Sequence, residues 1–156
     1  MLEAPDLKLR NLTLSDLDFL LALENDKSLW SVSDTNEKFT RQQIKQYIEN
    51  SHMDIKIAGQ FRYLIEFNDT PIGCADLHNY SKYFNTAEIG IVIIKDFRKR
   101  GLAKKALKLL IFHAFYTLNI HQLKAIITKD NISSISLFTS LNFTYQGNNI
   151  YFLNKL

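Results

Sequence analysis

The stretch Ile91-Val92-Ile93-Ile94-Lys95-Asp96-Phe97-Arg98-Lys99-Arg100-Gly101-Leu102-Ala103 constrains this chain more than any other. The run Ala87-Glu88-Ile89-Gly90-Ile91-Val92-Ile93-Ile94 is nearly continuous in apolar residues and reads as a strand in the middle of a sheet. From Leu102 to Leu118 the chain is a helix of Ala, Leu and Lys with no breaker. A basic turn with one glycine joins the two. The free N–H groups of the first helical turn, with the positive end of the helix dipole, make an anion site there. Gly101 carries no Cβ, so a phosphate can approach the backbone closely. Seven of the 19 basic residues (Lys95, Arg98, Lys99, Arg100, Lys104, Lys105, Lys108) fall in this region, with Asp96 its one acid. A solvated basic helix face is the competing reading. The Walker A and dinucleotide fingerprints both need glycines that are absent here.

The rest of the chain supplies the layers. Leu7 to Leu12 alternates as a first strand. Ser15, with Asp18 three residues on, marks a helix start, and Leu17, Phe19, Leu20, Leu21 and Leu23 follow at helical spacing. Thr40 with Gln43 opens a second helix whose apolar stripe is Ile44, Tyr47 and Ile48. Phe61 to Phe67, a turn at Asn68-Asp69-Thr70-Pro71, and Ile72 to Leu77 read as a hairpin. Leu123 to Thr128 is a strand, Ile132 to Leu141 a helix, and Phe143 to Leu153 a hairpin around Gly147-Asn148-Asn149. The order β-α-α-β-β-β-α-β-α-β-β predicts one α/β (α+β) domain over residues 1–156, with a mixed sheet.

Composition narrows the class further. The charge of +3 is too mild to imply nucleic acid by itself. No segment approaches the roughly 18 apolar residues that cross a bilayer. The start Met1-Leu2-Glu3-Ala4-Pro5-Asp6 has no signal-peptide pattern, and one cysteine, Cys74, fits a reducing compartment. A cytoplasmic protein with no metal is expected, since no histidine pairs with another or with Cys74 at ligand spacing.

Arg98-Lys99-Arg100-Gly101-Leu102-Ala103 resembles the Gln/Arg-x-x-Gly-x-Gly/Ala motif of the GNAT superfamily of N-acetyltransferases. Asn131-Ile132-Ser133-Ser134-Ile135-Ser136-Leu137-Phe138-Thr139-Ser140-Leu141-Asn142-Phe143 is similar to that family's Asn-x-x-Ser-x-x-Leu-Tyr-x-x-Leu-Gly-Phe signature. The element order agrees along essentially the whole chain. Leu7-Lys8-Leu9-Arg10 and the strand at Ala87-Glu88-Ile89-Gly90 further suggest the branch of ribosomal-protein N-terminal and spermidine N-acetyltransferases. The resemblance implies a mostly antiparallel mixed central sheet with helices on both faces. It implies an acetyl-CoA-dependent N-acetyltransferase acting on a primary amine, such as a peptide N-terminus, a polyamine or another small amine, by direct attack in a ternary complex. Two residues depart from the pattern: Phe138 replaces the usual Tyr and has no proton to give, and Asn142 replaces a glycine.

Roles follow from the resemblance and from what acetyl transfer needs. Acetyl-CoA would be held by the backbone of Ile91, Val92 and Ile93, by the turn Arg98, Lys99, Arg100, Gly101, Leu102, Ala103 and Lys104, and by Asn131 and Phe138. Glu88, a carboxylate on an apolar strand, is the candidate base; a rim carboxylate paired to the basic turn, or a water relay, are the alternatives. His78 and His113 could serve by residue type. Ser134, one helical turn after Asn131, is the hydroxyl left to act as acid, with packing or a bond to backbone as its alternative; Asn131 could also serve as a helix N-cap. Cys74 reads as a buried core residue. The acceptor amine is expected against the first two helices and the loop Asn25 to Phe39, where Glu24, Trp30 and Asp34 offer acids and an aromatic face that suit a cation; ordinary solvated acids on a surface loop are the competing reading. Partners are acetyl-CoA and an amine, without membrane or nucleic acid, and compatible with a homodimer. A non-catalytic acyl-CoA-binding or regulatory module, and a nucleic-acid domain using the basic helix, are the rival readings.

Overall fold

Alternating burial along Leu7–Asn11 makes the expected first long strand, and a two-residue strand at Leu2–Glu3 pairs with it. In this computed structural model, which describes residues 2–26 and 38–156, these are β2 and β1. The other strands are β3 (Phe61–Phe67), β4 (Thr70–Ser81), β5 (Thr86–Ile93), β6 (Gln122–Ile126), β7 (Thr144–Gly147) and β8 (Ile150–Asn154). The helices are α1 (Leu17–Glu24), α2 (Arg41–Glu49), α3 (Ile55–Ala58), α4 (Leu102–Tyr116) and α5 (Ile132–Ser140). The strands form one sheet in the order β1-β2-β3-β4-β5-β6-β8-β7. Every neighbouring pair is antiparallel except β5 and β6, which α4 connects in parallel.

Each face of the sheet buries its own core. Leu64 and Cys74 pack beneath Leu17, Leu20 and Leu23 of α1 and Ile44 and Ile48 of α2. Tyr63, Ile65 and Ala75 point the other way, toward Leu102, Ala106, Leu107, Leu110 and Ala114 of α4. Helices therefore cover both faces, as the sequence led us to expect. Among the described residues, no helix is long and apolar enough to cross a membrane.

Three local features differ from the reading of the sequence. The first helix starts not from Ser15 but from Thr13, whose backbone N–H donates to Asp16 at 2.8 Å, followed by a 3₁₀ turn over Leu14–Asp16. Arg10 explains the change. It donates to both Asp16 oxygens, at 2.8 and 2.7 Å, so a carboxylate can be buried there. The return strand β4 runs four residues beyond Leu77, to Ser81. The ladder also carries an irregularity: Ile65 pairs with Gly73 but Glu66 with Pro71, leaving Ile72 as an extra residue. At Gly73 a Cβ would lie 2.1 Å from the Val92 carbonyl oxygen, so the two strands meet there only because no side chain intervenes.

Candidate active site

Three cross-strand rows build the floor of the site. Leu64, Cys74 and Val92 form the first, packed under α1 and α2. Two residues further along the strands, Arg62 stands opposite Asp76 and Asp76 opposite Gly90. The third row sets His78 opposite Glu88. Side chains alternate with a period of two, so all three rows rise from the same face. The floor passes from apolar to charged to polar, and a cleft of about 800 Å3 opens over it. Leu23, Glu24 and Tyr47 form one wall.

The opposite wall exists because two strands part. Parallel pairing of β5 with β6 covers Thr86 to Glu88 and ends where Glu88 meets Lys124. Past that point Ile89, Gly90, Ile91 and Val92 line one side of the cleft, and Ala125, Ile126, Ile127 and Thr128 the other. From α5, Asn131, Ser134 and Phe138 reach the same space. The free edge of β5 therefore faces a cavity instead of a neighbouring strand, which makes its backbone polar groups ready for a ligand.

Charge in the cleft is organised by Arg62. Its Nε–H donates to Asp76 Oδ1 at 2.7 Å, Nη2 donates to Oδ2 at 3.1 Å, and Nη1 donates to Glu24 Oε1. Its guanidinium also lies 6.0 Å from the Tyr47 ring centre. Burial disfavours the Arg62 charge, yet the surrounding carboxylates outweigh it and hold the group well above its ordinary pKa. Burial pushes the Tyr47 hydroxyl up to about 12. It does the same to the Cys74 thiol, also to about 12, so almost none is thiolate at neutral pH. Glu88 is half-buried and accepts a hydrogen bond from Asn79 Nδ2.

Beyond Val92 the chain reaches the basic turn. Lys95–Phe97 is a 3₁₀ turn, Lys99 and Gly101 take left-handed φ values of 61° and 75°, and α4 begins at Leu102. Arg98 Nε–H donates to the Ile93 carbonyl at 2.7 Å, and Arg100 lies 5.0 Å from the Phe97 ring. No side chain caps the first turn of α4, and a Cβ at Gly101 would meet nothing within 4 Å. An uncapped helix start with open space before it fits a bound pyrophosphate.

The model of one protein family, described as an acetyltransferase (GNAT) domain, matches residues 6–144. The chain belongs to the GNAT acetyltransferases. Spermidine N(1)-acetyltransferase of Escherichia coli (strain K12) is 26% identical over 150 residues, covering 94% of this chain and 77% of that protein. The spermidine N-acetyltransferase of Vibrio cholerae, solved with CoA and spermine, superposes with a TM-score of 0.85 at 18% identity, over 97% of this chain and 96% of that one. RimL, a ribosomal-protein acetyltransferase, gives a TM-score of 0.84 at 19% identity, over 97% and 92%. The GNAT fold and N-acetyltransferase class rest on these likenesses and on the family match.

Within this GNAT domain the cleft brings together Glu24, Glu88, Ile91, Val92, Asn131, Ser134 and Phe138. The Asn131 side-chain oxygen caps α5, accepting from the Ser134 N–H at 3.3 Å. Phe138 is buried and edge-on to Phe143, 5.1 Å between centroids. Arg98, Lys99, Arg100, Gly101, Leu102, Ala103 and Lys104 stand apart from the cleft walls, at the start of α4. Ile93 and Leu102 turn their side chains into the core, so each has only backbone to offer. Trp30 and Asp34 lie outside the described residues. Glu88 makes no ion pair with the basic turn among the described residues. His113 sits on α4, edge-on to Tyr63 at 5.8 Å, where burial lowers its pKa, and does not line the cleft. Arg62 and Asp76 are the residues that sequence reasoning missed. Their signal was a charge within the largely apolar runs 61–67 and 72–77, which asks for a partner.

Proposed function

We propose that this GNAT enzyme moves the acetyl group of acetyl-CoA to a cationic primary amine by direct attack, with both substrates bound at once. The observation that carries this reading is the parting of β5 and β6 past Glu88. It leaves one continuous cleft with the motif-bearing helix α5 at one side and the carboxylates of Glu24, Asp76 and Glu88 at the other. Bound acetyl-CoA supplies the activated acyl group, its pyrophosphate held at Gly101 and the uncapped first turn of α4. Backbone groups of Ile91 and Val92 face the acyl oxygen and stabilise charge that grows on it. Glu88 takes the proton from the acceptor ammonium, and the net negative charge of Asp76 and Glu24 around the single Arg62 guanidinium favours a cationic acceptor. Ser134 returns a proton to the departing sulfur, since Phe138 has none. Cys74, buried and protonated, favours direct attack over an acyl-cysteine intermediate.

The acceptors named for the relatives, spermidine and ribosomal protein, suggest polyamines and peptide N-termini for this chain. Calorimetric titration with acetyl-CoA at two salt concentrations, followed by an amine panel read by thiol release, tests the reading. Saturable binding with release of thiol on adding a cationic amine is expected. Binding without turnover of any amine would make the chain an acyl-CoA-binding module instead.

A further inference from the structure

Pairing of β4 with β5 breaks between His78 and Ser81, beside the cleft. The break is anchored from outside the sheet, because the Tyr80 N–H donates to the Gly59 carbonyl at 2.9 Å, at the end of α3. Asn79, between His78 and Tyr80, takes a left-handed φ of 47°. That twist carries its side chain across to β5, where Nδ2 donates to Glu88 Oε2. Irregularities of this kind re-aim a side chain, and a hydrogen bond donated to a carboxylate fixes its direction.

Building on the reading of Glu88 as base, we infer that Asn79 is a positioning residue, holding the Glu88 carboxylate in the orientation that meets the acceptor nitrogen. The Asn79 donor occupies Glu88 Oε2 and so fixes the plane of the carboxylate, which gives the lone pairs of Oε1 one direction in which to meet the ammonium proton. The surrounding charges do not supply this service. His78 lies opposite on β4, Lys124 alongside on β6, and Asp76 is one row away under the Arg62 guanidinium. Among the described residues, neither His78 nor Lys124 makes a side-chain hydrogen bond or ion pair with Glu88.

Glycine makes a clean test, because it adopts φ of 47° more readily than asparagine does. If Asn79 serves only the turn, Asn79→Gly keeps full activity. If it positions Glu88, Asn79→Gly lowers kcat about threefold to tenfold with unchanged KM for acetyl-CoA and unchanged melting temperature. Asn79→Asp, which keeps the size and sets a second carboxylate against Glu88, costs more than Asn79→Gly. In a Glu88→Gln background Asn79→Gly has no further effect, since nothing remains to position. Glu88→Gln that cripples turnover, beside Asn79→Gly at the wild-type rate, overturns the role of Asn79 and leaves Glu88 standing. Glu88→Gln at the wild-type rate overturns both, and is recognised by that result alone.

Discussion

At the scale of single residues, two glycines do opposite work. Gly101 is needed for its backbone angle and for the empty space before α4. Gly101→Ala and Gly101→Glu should each cost about 1 kcal/mol of stability from the left-handed angle. Only Gly101→Glu should abolish acetyl-CoA binding, by setting bulk and negative charge where the proposed site would hold a pyrophosphate; calorimetry on both variants separates the two effects. Gly73 is needed for close approach, since a Cβ there would stand 2.1 Å from the Val92 oxygen. The obstacle is backbone, so Gly73→Ala should cost about 3 kcal/mol or more and lower the melting temperature by several degrees. Ser134 gives a subtler expectation. A thiol with a pKa of about 8.5 is already a fair leaving group, so Ser134→Ala should lower kcat about tenfold and spare acetyl-CoA affinity. A full wild-type rate in Ser134→Ala would assign the proton to water.

At the scale of elements, α1 is fastened at both ends by arginines from neighbouring strands. Arg10 of β2 grips Asp16 at its start, and Arg62 of β3 grips Glu24 at its end. Burial works against the charged form of Asp16, but the Arg10 hydrogen bonds outweigh it and hold the carboxyl below its ordinary value of 3.8. A lowered native pKa stabilises the fold above the unfolded pKa, and this contribution fades as pH falls through the native one. Asp16→Asn should therefore cost about 2 kcal/mol at pH 7, and the gap to wild type should close as pH falls below about 4, as urea unfolding at several pH values would reveal. The same elements tell what a sequence discloses. β3 was legible from its aromatic and β-branched run because its pattern is local. The pairing of Arg62 with Asp76 was not, since the extra residue Ile72 displaces the register by one; an unbroken hairpin would have set Arg62 against Ala75. The start of α1 was misjudged for a similar reason: Arg10 decides it, from another strand. The basic turn and the helix start after Gly101 were legible because they use consecutive backbone, whereas the cleft is assembled from seven elements distant in sequence.

At the scale of the whole molecule, one topological choice supplies both the basic turn and the open edge of β5. α4 carries the chain from the end of β5 back to the start of β6, and the turn that begins this crossover is the basic turn. The parallel ladder it permits is only three residue pairs long, so the strands are free to part above it. Ligand binding should tie this region down. Acetyl-CoA at about 100 times its Kd should stabilise the fold by about 2.7 kcal/mol. Amide exchange should slow most at Ile89–Ile93 and at the start of α4, with β2 and β3 little changed. Uniform slowing along the chain would point to binding elsewhere.

The short ladder also says where this enzyme comes apart. Strands β1 to β5 form one fabric and β6, β8 and β7 another; the ladder between them is three pairs long, flanked by the His121 N–H donating to the Asn85 carbonyl at 3.0 Å and Asn85 Nδ2 donating to the Asn119 carbonyl at 2.7 Å. A chain cut between Thr117 and His121 leaves every other ladder whole. Apart, the two pieces would leave β5 and β6 as open edges over one shared apolar core, so re-association buries both, which is what a split reporter needs.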